Sequence, residues 1–174
     1  YRVRARHRGI DPLLFLDFRA GRRLVRGLGD GARVCNLFAY TCGIGLAAAA
    51  GGARTVLNVD FAESALRVGQ DNAALNQLSA RQRFAQADVL PTIRQLAGLP
   101  VRGKGARRAY TRFPAEEFDL VVLDPPTWAR SRFSAVDPVR DYPSLLKPCL
   151  LMAAPGGKVL ATNHVSTVDA DEWH

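Results

Sequence analysis

Asp60, Asp88 and Asp124 each close a short apolar run, and a fourth run, opening at Val34, turns through Gly43 and Gly45 into Leu46–Ala50. The last is the layout of a strand, a ligand-cradling loop and a helix. A residue without a side chain lets the backbone close in on a ligand there. Asp60 ends Thr55–Val59, where a carboxylate in such folds meets ribose hydroxyls. Asp88 ends Gln82–Ala87, placed to accept from an adenine amino group, and also fits a helix cap. An adenosine-containing cofactor follows. The loop alone does not choose it, because Gly43, Gly45 and Ala48 also satisfy the dinucleotide pattern G-x-G-x-x-A.

Asp124-Pro125-Pro126-Thr127-Trp128 carries different chemistry. Two prolines after a strand give a rigid turn with a free carbonyl and no competing amide donor. Asp124 and the Pro125 carbonyl can accept hydrogen bonds from a nucleobase, and Trp128 can stack on it. Asn163 and His164 are read as shaping the pocket rim. Asp17 and Arg19 either reach the cofactor's charged end or serve as cap and surface charge.

These residues need elements to hold them. Asp17 is a plausible N-cap for a helix over Arg19–Leu28, stopped by Gly29 and Gly31. The spacing then predicts a strand over Arg54–Asp60, a helix over Ala62–Leu78, a strand over Gln82–Asp88 and a helix over Val89–Leu99. Phe118–Leu123 reads as a central strand covered on both faces. Asp141–Met152 reads as a helix that Pro148 kinks or divides, Pro155-Gly156-Gly157 as a turn, and Lys158–Thr162 as the fifth strand. Strand and helix alternate with short links, which predicts an α/β fold with an open, doubly wound, mostly parallel sheet. Such sheets bind ligands at strand C-termini, where the aspartates fall. The organisation expected is residues 1–30 as a basic segment and lead-in helix and 31–174 as the cofactor-binding catalytic domain.

The 174 residues suffice for one self-supporting core. Cys35, Cys42 and Cys149 have no zinc-like spacing, so no metal is expected, and their odd number suggests a reducing, cytoplasmic setting. No apolar run is long enough for a membrane span and no signal peptide is recognisable, so no membrane partner is expected. The net charge is +8 with a pI near 10.1, and the only lysines are Lys104, Lys147 and Lys158. Arginine suits phosphate, so the charge points to nucleic acid as well as to coding bias. As a strand, Tyr1–Arg8 would set Arg2, Arg4, Arg6 and Arg8 on one face; as a linker they would be solvated. Between Gly98 and Glu117, Arg102, Lys104, Arg107, Arg108 and Arg112 interleave with Tyr110 and Phe113, suiting backbone contact and base stacking or a solvated loop.

In their order and spacing, Asn36-Leu37-Phe38-Ala39-Tyr40-Thr41-Cys42-Gly43, Val59-Asp60, Ala87-Asp88 and Asp124-Pro125-Pro126-Thr127 resemble the class I S-adenosylmethionine-dependent methyltransferases. More narrowly they resemble the bacterial 23S ribosomal RNA enzymes that include cytosine-C5 and guanine-N7 methyltransferases, which Phe15-Leu16-Asp17-Phe18-Arg19 also matches. The resemblance implies a Rossmann-like class I fold, S-adenosylmethionine as cofactor and ribosomal RNA as partner. It implies that Phe38, Tyr40, Thr41 and Gly43 line the methionine part, Asp60 the ribose and Asp88 the adenine. Cys42, Phe61 and Asp124 complete the cofactor-binding positions, and Asp124, Pro125, Pro126 and Trp128 face the reacting methyl and target base. Members usually carry glycine where this chain has Cys42. Members also have an upstream RNA-binding domain and two strands after the fifth, so the chain is expected to be part of a longer protein, truncated after the fifth strand.

Cytosine C5 needs a cysteine adduct, which the family's cytosine enzymes take from the proline motif or from just after the fifth strand. This chain has Asp124-Pro125-Pro126-Thr127 and Thr162-Asn163-His164 there. Cys149 is expected as an inert buried thiol. The expectation is therefore methylation at a guanine nitrogen, since Asp-Pro-Pro-Thr followed by an aromatic resembles the guanine-N7 branch. Three other readings stay open: a cytosine-C5 enzyme, a NAD-dependent oxidoreductase, and a non-catalytic RNA-binding module.

Overall fold

A computed structural model describes residues 1–3, 12–102, 110–126, 129–130, 135–136 and 142–165. Helix α1 (Arg19–Gly27) precedes β1 (Arg33–Leu37), which leads into α2 (Gly43–Ala50). β2 (Thr55–Asp60) leads into α3 (Glu63–Leu75), and β3 (Gln82–Gln86) into α4 (Val89–Leu96). β4 (Phe118–Leu123) is followed by two short antiparallel strands, β5 (Ala129–Arg130) and β6 (Ala135–Val136), then by α5 (Tyr142–Leu151) and β7 (Ala153–Ala161).

Five strands form one parallel sheet in the order β3-β2-β1-β4-β7. The chain winds outward from β1 to β3 and then returns to the other side of β1. The switch point of this doubly wound sheet therefore lies between β1 and β4, and a crevice opens outside the carboxyl ends of those strands.

Side-chain alternation builds a core on each face. Cys35 and Leu37 of β1, Leu57 and Val59 of β2, and Val121 and Leu123 of β4 pack with Ile93, Leu96, Leu145 and Cys149 from α4 and α5. Their neighbours Val34, Val56, Leu120 and Val122 pack on the other face with Val25 of α1 and Ala48 and Ala49 of α2. Central parallel strands must be apolar on both faces, which is why Phe118–Leu123 reads as an unbroken run. α2 lies close to the sheet because it is built of alanine and glycine. A Cβ on Gly45 would come within 2.1 Å of Asn58 Oδ1 and 3.1 Å of Val56 Cγ1.

Several local expectations need correction. Asp17 is not the N-cap of α1; Phe18 holds that place without a side-chain bond, and Asp17 accepts from the adjacent Phe18 amide at 3.1 Å. The helix over Ala62–Leu78 stops at Leu75 because Gln77 turns left-handed (φ 57°). Gln77 N then donates to Ala74 O and Leu78 N to Ala73 O, a Schellman closure made without glycine. α5 runs through Pro148 undivided. Pro155-Gly156-Gly157 is not a turn before the strand but lies within β7 as a bulge, since pairing passes from Phe118↔Ala153 to Leu120↔Lys158. Left-handed Gly156 (φ 77°) makes that slip possible.

Tyr1–Val3 is not strand. The Arg2 amide donates to Asn72 Oδ1 at 2.6 Å and its guanidinium pairs with Asp71 at 3.0 Å; Arg4, Arg6 and Arg8 lie outside the described residues. Lys104, Arg107 and Arg108 do too. Phe113, expected to offer a stacking face, packs against the core instead, while Tyr110 stacks under Arg112, whose guanidinium lies 4.6 Å from the ring centroid. No helix among the described residues is long and apolar enough to cross a membrane.

Candidate active site

The sheet register carries the site residues to one edge. Leu37 pairs with Val59 on one side and Leu123 on the other, and Leu123 pairs with Ala161. Phe38, Asp60, Asp124 and Thr162 therefore leave the ends of four adjacent strands at the same level, with strands about 4.8 Å apart. Phe38 and Asp124 flank the switch point.

The Phe38–Cys42 loop is strained and held from several sides. Phe38, Tyr40 and Cys42 have φ of 54°, 49° and 60°, all left-handed and none of them glycine. Each such residue costs about 1–2 kcal/mol, and strain of this kind clusters at functional sites. The fixings are specific. The Tyr40 amide donates to Asp60 Oδ2 at 2.7 Å, and the Thr41 hydroxyl to Leu13 O at 2.6 Å. The Tyr40 hydroxyl accepts from the Leu13 amide at 3.1 Å, and the Phe15 and Tyr40 rings lie 5.4 Å apart. Cys42, the N-cap of α2, is fully buried against Ala39, Leu66 and Phe84. Its thiol lies where a side chain on Gly69 of α3 would go: a Cβ there would stand 2.5 Å from Cys42 Sγ. Cys42 can thus take the left-handed turn with its side chain buried, because α3 leaves a slot at Gly69. No side chain caps α2, so its first amides are available to an anionic group.

Asp60 is 6% exposed and its two oxygens accept from Tyr40 N and from Ala62 N at 2.8 Å, locking the ends of β1 and β2 together. Burial pushes its carboxyl pKa up, against the opposing pull of the backbone amides. A carboxylate offers about four acceptor positions, so these amides do not exhaust it and a diol can still be bound. Phe61 beside it is 48% exposed. Asp88 caps α4, its carboxylate accepting from Leu90 N at 2.9 Å while Thr92 Oγ1 donates to its carbonyl at 2.7 Å. Beneath the loop an amide chain crosses three strands: Asn36 donates to Asn58, Asn58 to Gln82, and Gln82 Nε2 to Gly45 O at 3.1 Å.

Beyond the switch point, Asp124 Oδ1 accepts from the Thr162 hydroxyl and is 2.7 Å from His164 Nε2. Among the described residues Asp124 Oδ2 has no protein partner. Thr162 is fixed in turn, its amide donating to Leu123 O at 3.0 Å and its carbonyl accepting from Tyr142 Oη at 2.8 Å. Burial, with the nearby Cys149 thiol and Asp124 carboxylate, pushes the Tyr142 phenol up, so it stays a donor. Asn163 Oδ1 accepts from Val165 N at 3.0 Å, which leaves its buried Nδ2 without a partner among the described residues. Among the described residues this edge thus holds a carboxylate oxygen and a buried amide donor without protein partners.

The fold also belongs to a known group. A family model for S-adenosylmethionine-dependent methyltransferases matches residues 2–172. The chain is a member of that family. The ribosomal RNA large subunit methyltransferase of Deinococcus radiodurans is 39% identical over 160 residues, covering 91% of this chain and 36% of that protein. The ribosomal RNA large subunit methyltransferase K/L of Shewanella sp. strain ANA-3 is 37% identical over 158 residues, covering 89% of this chain and 20% of that protein. The chain therefore spans about a third and a fifth of these two relatives. A methyltransferase crystallised with SAH superposes with a TM-score of 0.80 at 24% identity, over 95% of this chain and 40% of its own, a likeness of fold. The Rossmann-like methyltransferase fold and the S-adenosylmethionine cofactor read from the sequence both stand, and the nicotinamide alternative falls away.

In this methyltransferase domain the sequence-predicted residues Phe38, Tyr40, Thr41, Cys42, Gly43, Asp60, Phe61, Asp88, Asp124, Pro125 and Pro126 follow strand ends of a single sheet edge. Trp128 and Thr127 lie outside the described residues. Asp17 and Arg19 are exposed, and Asp17 bonds only to the next amide. Leu13, Thr162 and Tyr142 carry no motif that would single them out; each matters through hydrogen bonds to residues distant in sequence. His164 is more than rim, since it bonds Asp124 directly.

Proposed function

We propose that this chain transfers a methyl group from S-adenosylmethionine to a guanine nitrogen of RNA, ribosomal RNA being the substrate class in its relatives' names. The observation that carries the reading is Asp124, clamped by Thr162 and His164 at the switch point, its Oδ2 without a partner among the described residues, beside the strained loop that ends β1. The cofactor supplies an electrophilic methyl on sulfur, so the protein's task is to hold a nucleophile in line and exclude water. The residues fit that cofactor: Asp60 and Asp88 bring carboxylates to the ends of β2 and β3, where ribose hydroxyls and an amine would meet them, and Phe38, Tyr40, Thr41, Cys42 and Gly43 shape the loop at the open α2 N-terminus. Phe61 offers an apolar ring beside Asp60.

Asp124 Oδ2 and the Pro125 carbonyl accept from the base, while Asn163 Nδ2, buried and without a partner among the described residues, supplies a donor for a base oxygen or nitrogen. That donor and acceptor pairing suits an edge such as guanine's, with its carbonyl and its N–H groups. The chain's three cysteines, Cys35, Cys42 and Cys149, are all fully buried, and burial pushes Cys149 up to about 12. None is a thiolate near neutral pH, so none can form the adduct that cytosine C5 requires. The setting is the cytoplasm, where ribosomal RNA resides. The test is a nucleoside digest of RNA methylated by the full-length enzyme with labelled cofactor. Label in methylguanosine is expected; label in 5-methylcytosine would overturn the assignment.

A further inference from the structure

α1 carries Arg19, Arg22, Arg23 and Arg26 and no acidic residue; the nearest acids in sequence are Asp17 and Asp30. Val25 is its one buried side chain, packed in the layer with Val34, Leu120 and Val122. Arg22 is committed, donating to Phe15 O at 2.6 Å. Arg19, Arg23 and Arg26 are exposed and, among the described residues, take part in no ion pair or hydrogen bond through their guanidinium groups. They stand at i, i+4 and i+7, on one side of the helix.

That spacing has a cost. Like charges three and four residues apart destabilise a helix by about 0.2–0.5 kcal/mol per pair, and α1 offsets none of it with an acid. Among the described residues four arginines elsewhere are matched with acids: Arg67 with Glu63 at 2.6 Å, Arg83 with Glu116 at 2.7 Å, Arg2 with Asp71 at 3.0 Å and Arg33 with Asp119 at 3.5 Å. α1 is also placed to matter. Leu13 and Phe15, just before it, touch Tyr40 and Thr41 at the site edge, while Leu28 and Asp30 after it line a cleft at the opposite edge with Arg33 and Asp119. The helix therefore runs away from the methyl-transfer edge with Arg19 at the near end and Arg26 at the far end. Seven residues at 1.5 Å each give a row of about 10 Å, or about three nucleotides of stacked strand at ~3.4 Å each.

We infer that Arg19, Arg23 and Arg26 form a rail that grips the phosphate backbone of the RNA next to the nucleotide being methylated. The inference rests on RNA being the substrate. Arginine rather than lysine suits it, since a guanidinium fork meets a phosphate through two parallel bonds.

The test is binding of purified bacterial large-subunit ribosomal RNA by the full chain between 50 and 200 mM salt, for wild type, Arg23→Gln/Arg26→Gln and the control Arg67→Gln. Each phosphate contact contributes about 0.7–0.9 to the slope of log affinity against log salt. The double variant should lose about 1.4–1.8 from that slope and, at 0.15 M salt, about fifteen- to thirtyfold in affinity, with S-adenosylmethionine binding unchanged. Arg67→Gln should follow wild type. A double variant with wild-type slope and affinity overturns the rail while leaving RNA methylation standing. A wild-type chain that neither binds nor methylates RNA overturns the RNA reading instead. Should the double variant also lose cofactor binding, its RNA loss is a folding defect, and the single variants Arg23→Gln and Arg26→Gln decide: each, with cofactor binding kept, should lose about 0.7–0.9 from the slope, and a wild-type slope in both overturns the rail.

Discussion

Gly69 and Cys42 make a sharp test of how the cofactor loop is held. Gly69 lies inside α3, where alanine would ordinarily gain about 1 kcal/mol of helix propensity. Here an added Cβ would stand 2.5 Å from Cys42 Sγ, 3.0 Å from Cys42 Cβ and 3.3 Å from the Thr41 carbonyl. The thiol is fully buried in a close-packed interior, and Cys42 Cβ and the Thr41 carbonyl stand behind it, so the loop itself must give way. Overpacking of this kind costs about 1–3 kcal/mol, and Gly69→Ala should destabilise the domain by about 1–2 kcal/mol in urea unfolding. Because the displaced atoms belong to the cofactor loop, calorimetry should also show S-adenosylmethionine binding at least tenfold more weakly. The companion variant, Cys42→Gly, loses roughly 1.5 kcal/mol of burial at ~0.8 per CH2-sized group and recovers about 1–2 kcal/mol of left-handed strain. It should be close to neutral. In the Cys42→Gly background the slot is empty, so Gly69→Ala should become neutral or mildly stabilising, a coupling of about 1–3 kcal/mol in the range found for touching residues. Equal destabilisation in both backgrounds would refute the reasoning, since the Thr41 carbonyl rather than the thiol would then be the obstacle.

Thr162→Val should remove one of the two donors on Asp124 Oδ1 and lower kcat for methyl transfer about tenfold with cofactor affinity unchanged, while Thr162→Ser should keep most activity; a valine variant with wild-type kcat would show that the clamp does not position Asp124. Asp124→Asn, which removes the negative charge and puts an NH2 donor in place of one acceptor oxygen, should cost about a hundredfold or more in single-turnover rate. Burial raises the folded-state pKa of Asp60 above its unfolded value, so its contribution to stability is fully present below the ordinary carboxylate range and is lost as pH rises through the raised value. The stability difference between wild type and Asp60→Asn, followed by urea unfolding, should therefore shrink as pH rises through that window; a difference that grows would reverse the assigned sign. Gly45→Ala should destabilise by about 2–3 kcal/mol, because the Asn58 amide it strikes is already bonded to Asn36 and Gln82, and a variant as stable as wild type would show that α2 is free to lift.

Much of this architecture was legible because its signals are local. Phe118–Leu123 can only be a strand covered on both faces, and the aspartates after the apolar runs mark carboxyl ends whatever the sheet order. The elements that escaped are fixed by partners distant in sequence. Pro155-Gly156-Gly157 has every mark of a turn, yet Phe118 and Leu120 of β4 draw it into β7 as a bulge. Phe113 reads as one of two stacking aromatics, but the α4–α5 core claims it. Thr162 is an ordinary strand residue until the chain returns beside β4 and brings its hydroxyl to Asp124, 38 positions earlier.

The glycines show the same division between type and role. Gly43 and Gly45 announce a loop that approaches a ligand, but neither takes the left-handed backbone; Phe38, Tyr40 and Cys42 do. Gly45 is needed so that α2 can rest on Asn58 and Val56, and Gly69, in no motif, is needed so that Cys42 can exist. A loop made left-handed by non-glycine residues holds its shape only while Asp60, Leu13 and the Gly69 slot all press on it. It therefore has fewer alternative conformations than a glycine loop would. The strain costs stability, and in return the loop's amides and carbonyls stand ready in place, so that little ordering is left to be done when cofactor arrives.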